Sequence, residues 1–477
     1  MRLTEEIATV LKTRSYTINN SICDTMKKFK FKTQCHRTGI TKENGYGAAK
    51  VLTLLVMFPF MMMKNVHQLH KNEYNKKVEM QKDVFYRMKN NEKYSWRKLL
   101  YGISKAYKGL VSARGTAEGG KRAFILDDTT DERTGYKMEN ISYVYDHVKK
   151  KSVYGYKVML MAYFDGKSTT PLDFTIHTEK RLDRKKRKAQ YRKEADPKSA
   201  GGKRRKEAGA SKIEQAVAMI KRAVKNGFSA DYVLCDAWFT SKGFIKAVRS
   251  VKGGAMHVIA GIRNDKHKYD LDGNLFNAGE IIARLKSAGN ERRCRKWNIL
   301  YYEAAVHYDE VGQVKLYMCR YPGQKKWRVF ISTDASLTFV DMMKTYGTRW
   351  TIEVLFRECK QYLNLGGCQS QDFDAQIADA TIVFIQYTFL SYLKRIESYE
   401  TLGELYRLTQ QDVVEKTLAE RLWILFEDLL SIMVKAISSY GKLDVAEIKN
   451  TEEFRLVKEV FTSSFLFMQM GSVDNAA

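Results

Sequence analysis

Two short apolar runs that each stop at an acid constrain this chain most. Residues 122–126 run into Asp127-Asp128-Thr129-Thr130, and residues 231–235 end at Asp236. Apolar runs of this length, bounded by polar residues, read as buried strands. Between them, residues 153–164 and 172–177 form two longer apolar runs separated by Asp165-Gly166, the pattern of a hairpin. Residues 213–225 then repeat at helical spacing. A further helix starts near Phe244, and residues 257–262 read as another strand. Strands joined through a crossover helix predict an α/β core. Ligand-binding groups gather at strand ends in open α/β sheets, which singles out Asp128 and Asp236. For each alone, a turn or helix-capping aspartate is the plain alternative.

The flanks read differently. Residues 1–115 are helical in pattern: an apolar block at 48–58 stops at Pro59, and apolar groups then recur among lysines at 84–88, 96–100 and 103–107. We expect a helical DNA-binding domain there, without a clear groove-reading helix. Gly115, Gly119 and Gly120 mark a boundary. The core's first part is then expected over 116–264 and a β-rich stretch over 265–338. Helical pattern returns at Phe339, giving a second core part over 339–395, with a break at Gly366-Gly367. Residues 396–477 are helical again, with Leu422, Leu425, Leu429 and Ile432 on one stripe that suits a core or a dimer face.

Charge narrows the partners. There are 82 Lys+Arg and 54 Asp+Glu, so 82 − 54 gives +28. Such a balance points to a polyanion. The densest basic segment, residues 180–212, holds 15 Lys/Arg against 4 Asp/Glu but lacks the apolar face of a membrane-binding helix. It reads either as a solvated loop or as a phosphate-contacting one. The seven cysteines are odd in number and include no C-x-x-C pair, which fits a reducing cytosol better than a disulfide framework or a structural zinc site. No apolar run suits a signal peptide or a bilayer span. The expectation is a soluble cytoplasmic protein with no membrane partner.

The sharpest pattern comes late in the chain. Tyr346, Arg349, Glu353 and Lys360 lie at offsets −7, −4, 0 and +7 from the glutamate. On one helix these fall within a sector of about 60°. One face would then present a carboxylate flanked by two cations and a phenol, with Arg357 near its edge. An ordinary surface i,i+4 pair is the bland reading of Arg349 and Glu353, yet Trp350, Ile352, Leu355 and Phe356 suggest a packed helix. Three carboxylates, from two strand ends and a helix, suit a two-metal site for phosphoryl transfer on DNA.

These residues match Y-x2-R-x3-E-x6-K, and the chain thereby resembles the insertion-sequence-four family of bacterial DDE transposases. Asp128-Thr129-Thr130 resembles that family's first motif and Cys235-Asp236 its second. The resemblance implies a ribonuclease-H-like core interrupted by a mostly β insertion, with helical N- and C-terminal domains. It implies Asp128 (rather than Asp127), Asp236 and Glu353 as catalytic metal ligands for two Mg²⁺, with Mn²⁺ as a substitute. Tyr346, Arg349 and Lys360 would hold DNA phosphates, with Arg357 beside them. The partners implied are double-stranded DNA, as terminal inverted repeats and target, and a second copy in a homodimeric synaptic complex.

From Asp236 to Glu353 is 353 − 236 = 117 positions, room for the insertion. Family members with such an insertion commonly cut through a DNA hairpin and stack a flipped base on a tryptophan in it. Trp327 resembles that residue; a tryptophan packed in a β core is the other reading. The activity implied is cut-and-paste transposition: cleavage at the element ends, then joining of the 3′-ends to target DNA. A related endonuclease without strand transfer is an alternative within enzymes. A catalytically silent DNA-binding descendant is another, disfavoured by acids at all three positions.

Overall fold

The computed structural model describes residues 21–71, 80–113, 120–135, 137–146, 148–179, 193–263, 267–397, 399–414 and 452. The chain divides into two units, residues 22–408 and the paired chain ends 1–21 with 409–477. In the second unit the Ser21 backbone N–H donates to Asp412 Oδ2 at 2.9 Å. The stripe at Leu422, Leu425, Leu429 and Ile432 lies outside the described residues, as does most of the expected dimerisation region.

The larger unit opens with helices α1 (Ser21–Lys28), α2 (Phe31–Arg37), α3 (Ala48–Met57), α4 (Val66–Lys71), α5 (Lys82–Lys89) and α6 (Trp96–Ser112). After α3 the chain tightens into a 3₁₀ turn, Phe58–Met61, with Pro59 in its first turn. Proline lacks the N–H that an α-helix would need there.

Strands β1 (Ala123–Glu132), β2 (Ser142–Asp146), β3 (Lys151–Phe164) and β4 (Thr169–His177) follow. Asp165 closes the β3–β4 turn by accepting the N–H groups of Lys167 and Ser168 at 3.0 and 2.8 Å, beside Gly166 at φ 101°. Then come α7 (Ala200–Ala208), α8 (Lys212–Lys225), β5 (Tyr232–Cys235), α9 (Lys242–Ser250) and β6 (His257–Ile262). Ser211 and Glu214 form a reciprocal capping box that starts α8. Its buried face, including Ala216, Met219 and Ile220, packs under the sheet beside Leu126, Met159 and Cys235. Fully burying Met219 or Ile220 contributes about 1.5–3 kcal/mol each.

The core strands run β4-β3-β1-β5-β6, with β3 antiparallel to β1 and β4 and also to β2, and with β1, β5 and β6 parallel. This is a mixed α/β, ribonuclease-H-like sheet. The next stretch, β7 (Lys268–Leu271), β8 (Asn274–Asn277), α10 (Ala278–Ser287), β9 (Arg292–Cys294), β10 (Ile299–Tyr308), β11 (Gly312–Arg320) and β12 (Arg328–Ser332), does not stand apart. Its last strand pairs antiparallel with β6, so the β-rich residues lengthen the core sheet to twelve described strands.

Three helices finish the unit: α11 (Phe339–Gly347), α12 (Trp350–Tyr362) and α13 (Phe373–Glu397). α13 is buried nearly all round, as a helix at the centre of a domain must be. Phe389 and Tyr392 on it meet Phe29 edge-on at 4.9 and 5.2 Å between ring centres, tying the N-terminal helices to the core. No helix among the described residues is long and apolar enough to cross a membrane.

Candidate active site

The site begins with strand register. β1 and β5 are parallel neighbours with Ile125 opposite Leu234. Asp236 follows directly after β5, within electrostatic reach of both Asp127 and Asp128. Successive side chains on a strand point to opposite faces. Leu126 and Cys235 enter the core on the α8–α9 side, so Asp127 faces the other way, toward α12.

Helix α12 brings Glu353 to that face. Arg349, at the helix's N-terminus, donates from Nη1 to Asp127 Oδ2 at 3.1 Å and from Nη2 to Glu353 Oε1. One guanidinium thus joins the strand carboxylate to the helix carboxylate. Asp236 accepts the Trp238 N–H at 3.0 Å, which fixes the turn after β5. Tyr346 donates to the Cys235 carbonyl at 3.3 Å, and its ring meets Phe330 at 4.9 Å. Lys360 donates to Thr129 Oγ1 at 2.7 Å and the Thr130 carbonyl at 2.9 Å. Thr129 shares its strand face with Asp127. Arg357 is exposed one turn beyond Glu353.

Asp128 lies on the other side of β1. Its side chain points to the α8 side, where Lys212 holds it at 2.8 Å and Lys157 at 3.2 Å. Both lysines are almost fully buried. Lys212 also lies 4.7 Å from the ring centre of Trp238, an exposed side chain two residues past Asp236. The residue that the family resemblance favours is therefore turned away from Glu353, and its neighbour faces it. Strand alternation is the reason, and it could have been applied to the sequence once β1 was aligned with β5.

Electrostatics separates the two aspartates further. Burial pushes Asp127 up; Arg349 pulls it back, and the Asp236 and Asp128 charges raise it again, to about 7. Burial also opposes charge on Asp128, but Lys212 and Lys157 outweigh it and hold the carboxyl below its ordinary value. Asp236 is raised, first by burial and then, against the Trp238 N–H, by the Asp128 charge. Burial lifts Tyr346 to about 12 and lowers Lys360.

The four-residue pattern does not occupy one helix. Tyr346 is the penultimate residue of α11, and α12 starts after Arg349. Across the junction the backbone bonds are i to i−3: Thr348 to Thr345, Arg349 to Tyr346, and Ile352 to Arg349, at 3.2, 2.9 and 3.1 Å. Such a 3₁₀ turn eclipses residues three apart, which keeps Tyr346 and Arg349 on one side. Gly347 and Thr348 are poor helix formers, and the hydroxyls of Thr348 and Thr351 bond backbone carbonyls here.

Trp327 sits just before β12, half-buried. Its ring lies 4.9 Å from Tyr302, and the Arg320 guanidinium lies 4.6 Å from its centre. Among the described residues no group of three His, Cys, Asp or Glu side chains is arranged to hold a metal ion. The donor chemistry nonetheless fits a hard divalent cation. Asp127, Asp236 and Glu353 are all carboxylates, and two of them already share one cation, Arg349.

Residues 84–277 match the model of a DDE superfamily endonuclease, and residues 205–389 match that of a transposase DDE domain. The first span includes Asp127 and Asp236, the second Asp236 and Glu353. These matches support a transposase-like DDE nuclease. Enzymes of that superfamily generally use divalent metal ions, and transposase domains imply a DNA substrate. No curated protein matches the chain.

Proposed function

We propose that the protein is a cut-and-paste DNA transposase of the insertion-sequence-four type, with Asp127, Asp236 and Glu353 as its catalytic carboxylates. The observation that carries this reading is the Arg349 guanidinium, which joins the strand carboxylate Asp127 to the helix carboxylate Glu353, with Asp236 at the end of the neighbouring parallel strand. The reading prefers Asp127 to the expected Asp128 because Asp127 shares Arg349 with Glu353, whereas Asp128 pairs with Lys157 and Lys212 on the other face.

The three carboxylates would hold Mg²⁺, or Mn²⁺ in its place. When bound, the metal supplies charge stabilisation at the phosphate and a more acidic water. The chain's own residues do the rest. Arg349 keeps Asp127 and Glu353 aligned and, with Tyr346 and Lys360, grips phosphates beside the cut. Tyr346 and Lys360 are anchored to strand oxygens, so they are pre-positioned. Arg357 extends this cationic edge. Water attack at an element end breaks one phosphodiester and frees a 3′-hydroxyl. That hydroxyl attacks the opposite strand, exchanging one phosphodiester for another and closing a hairpin. A second water opens the hairpin, and the 3′-end joins target DNA by the same exchange. A homodimer would pair the two element ends, in a cytoplasmic, nucleoid-bound setting.

The test uses the DNA flanking the gene. Short inverted repeats at both ends, placed on labelled duplex with Mg²⁺ and a target plasmid, should give nicked, hairpin, flush-ended and joined products. Cleavage without joining would make the protein an endonuclease. No cleavage with Mg²⁺ or Mn²⁺ would remove the enzymatic reading.

A further inference from the structure

The described part of the basic segment, residues 193–212, is neither a loop nor wholly solvated. Helix α7 occupies its middle, and Gly201 and Gly202 open that helix because there is no room for side chains. A Cβ would lie 2.2 Å from Asp374 Oδ1 at Gly201 and 2.1 Å from the Asp196 carbonyl at Gly202. Arg205 is buried between Glu139 and Asp374, at 2.6 and 2.9 Å. Lys198 and Lys203, in contrast, stay exposed. They line a cleft of about 870 Å³ together with Arg37, Lys93, Lys98 and Lys105 from α2, α6 and the chain leading into α6, and with the carboxylates Asp196 and Asp374. The six cationic side chains are exposed and form no ion pair among the described residues.

Three of the lining residues, Arg97, Arg204 and Arg222, belong to a network that is itself short of negative charge. Arg97 and Arg222 hold Asp173 at 2.9 and 2.7 Å, and Arg222 holds Glu207 at 2.9 Å. Arg204 lies 3.6 Å from Glu207 and over the Phe174 ring. Three guanidinium groups face two carboxylates, so 3 − 2 leaves one positive charge. Among the described residues, Nη2 of Arg204 and Nη2 of Arg222 have no hydrogen-bond partner. Burial, and then the Arg97 charge, push Arg204 down to about 9, the mark of a cation without enough anion nearby.

We infer that this cleft binds the sugar–phosphate backbone of double-stranded DNA. A single small anion would not engage cations spread along the cleft, whereas a phosphate row would. The inference takes its anion from the proposed DNA substrate but does not depend on cleavage.

The experiment is duplex binding measured by fluorescence anisotropy across a salt series. Lys98, Lys105, Lys198 and Lys203 are changed to Gln together. A control changes four exposed lysines elsewhere, Lys32, Lys167, Lys268 and Lys286, with thermal unfolding run on both. The slope of log affinity against log salt should flatten by about 0.9 per lost contact, up to about 3.6, in the cleft variant. The control should hold the wild-type slope. An unchanged slope in the cleft variant, or equal flattening in the control, overturns the inference. So does tripolyphosphate binding that the cleft variant loses while its duplex slope is unchanged, which would make this a small-anion site. Wild-type protein that binds duplex steeply but never nicks it would sink the cleavage reading and leave this one standing.

Discussion

Asp127 and Asp128 are consecutive on β1 and serve opposite faces of the sheet. Arg349 holds the first beside Glu353, and Lys157 with Lys212 holds the second under α8. Asp127→Asn should therefore slow nicking of element-end DNA by about a hundred- to a thousandfold, the scale of losing one preorganised electrostatic group. Asp128→Asn should act on stability instead, since it leaves two buried lysines unpaired at a cost of about 3–5 kcal/mol. Denaturant unfolding and a nicking time course on both variants decide it. Stable Asp128→Asn protein that cannot nick would return the role to Asp128.

Glu353→Gln keeps the size of the side chain and loses the charge that a cation needs. Cleavage should vanish while duplex binding persists, because the phosphate-gripping cations remain. Near wild-type cleavage by this variant, with Mg²⁺ supplied, would remove Glu353 from the site.

Trp327 is already in contact with Tyr302 and Arg320. A packing role predicts that Trp327→Ala lowers the melting temperature and weakens nicking, hairpin formation and binding together. Aromatic pairs of this kind contribute about 0.5–1.5 kcal/mol beyond their burial. A hairpin-specific slowing of ten- to a hundredfold in well-folded protein would instead show a base stacked on this ring, an interaction worth about 1–3 kcal/mol.

The buried Asp173 network predicts a pH signature. Burial opposes its charge, but Arg97 and Arg222 prevail and hold the carboxyl below its ordinary 3.8. A depressed folded-state value contributes stability that is full above pH 3.8 and is lost as pH falls through the folded value. Asp173→Asn should cost about 3–5 kcal/mol at pH 7, and the gap to wild type should narrow below pH 3.8. Urea unfolding at pH 7 and pH 3 measures both. A gap that stays constant would mean that Asp173 does not carry the charge in this network.

Much of the fold was legible in the sequence because it rests on local periodicity. The apolar run ending at Asp236, the Asp165-Gly166 turn and the α8 pattern each specify their element within about ten residues, and each was found where expected; the run at 122–126 also gave a strand, but β1 continues to Glu132, so Asp127 and Asp128 lie within it rather than at its end. The spacing of Tyr346, Arg349, Glu353 and Lys360 is equally local. What periodicity could not supply was which neighbours those elements meet. Only the packing of α12 and α8 on opposite faces of β1 sets Asp127 beside Arg349 and Glu353 and Asp128 beside two lysines. Only the partners Glu139 and Asp374, distant in sequence, convert Arg205 from part of a charge run into a buried anchor. Composition sees a basic segment as one solvated stretch. Burial and pairing sort its cations into those that hold the fold and those left free for a polyanion, and that sorting exists only in three dimensions.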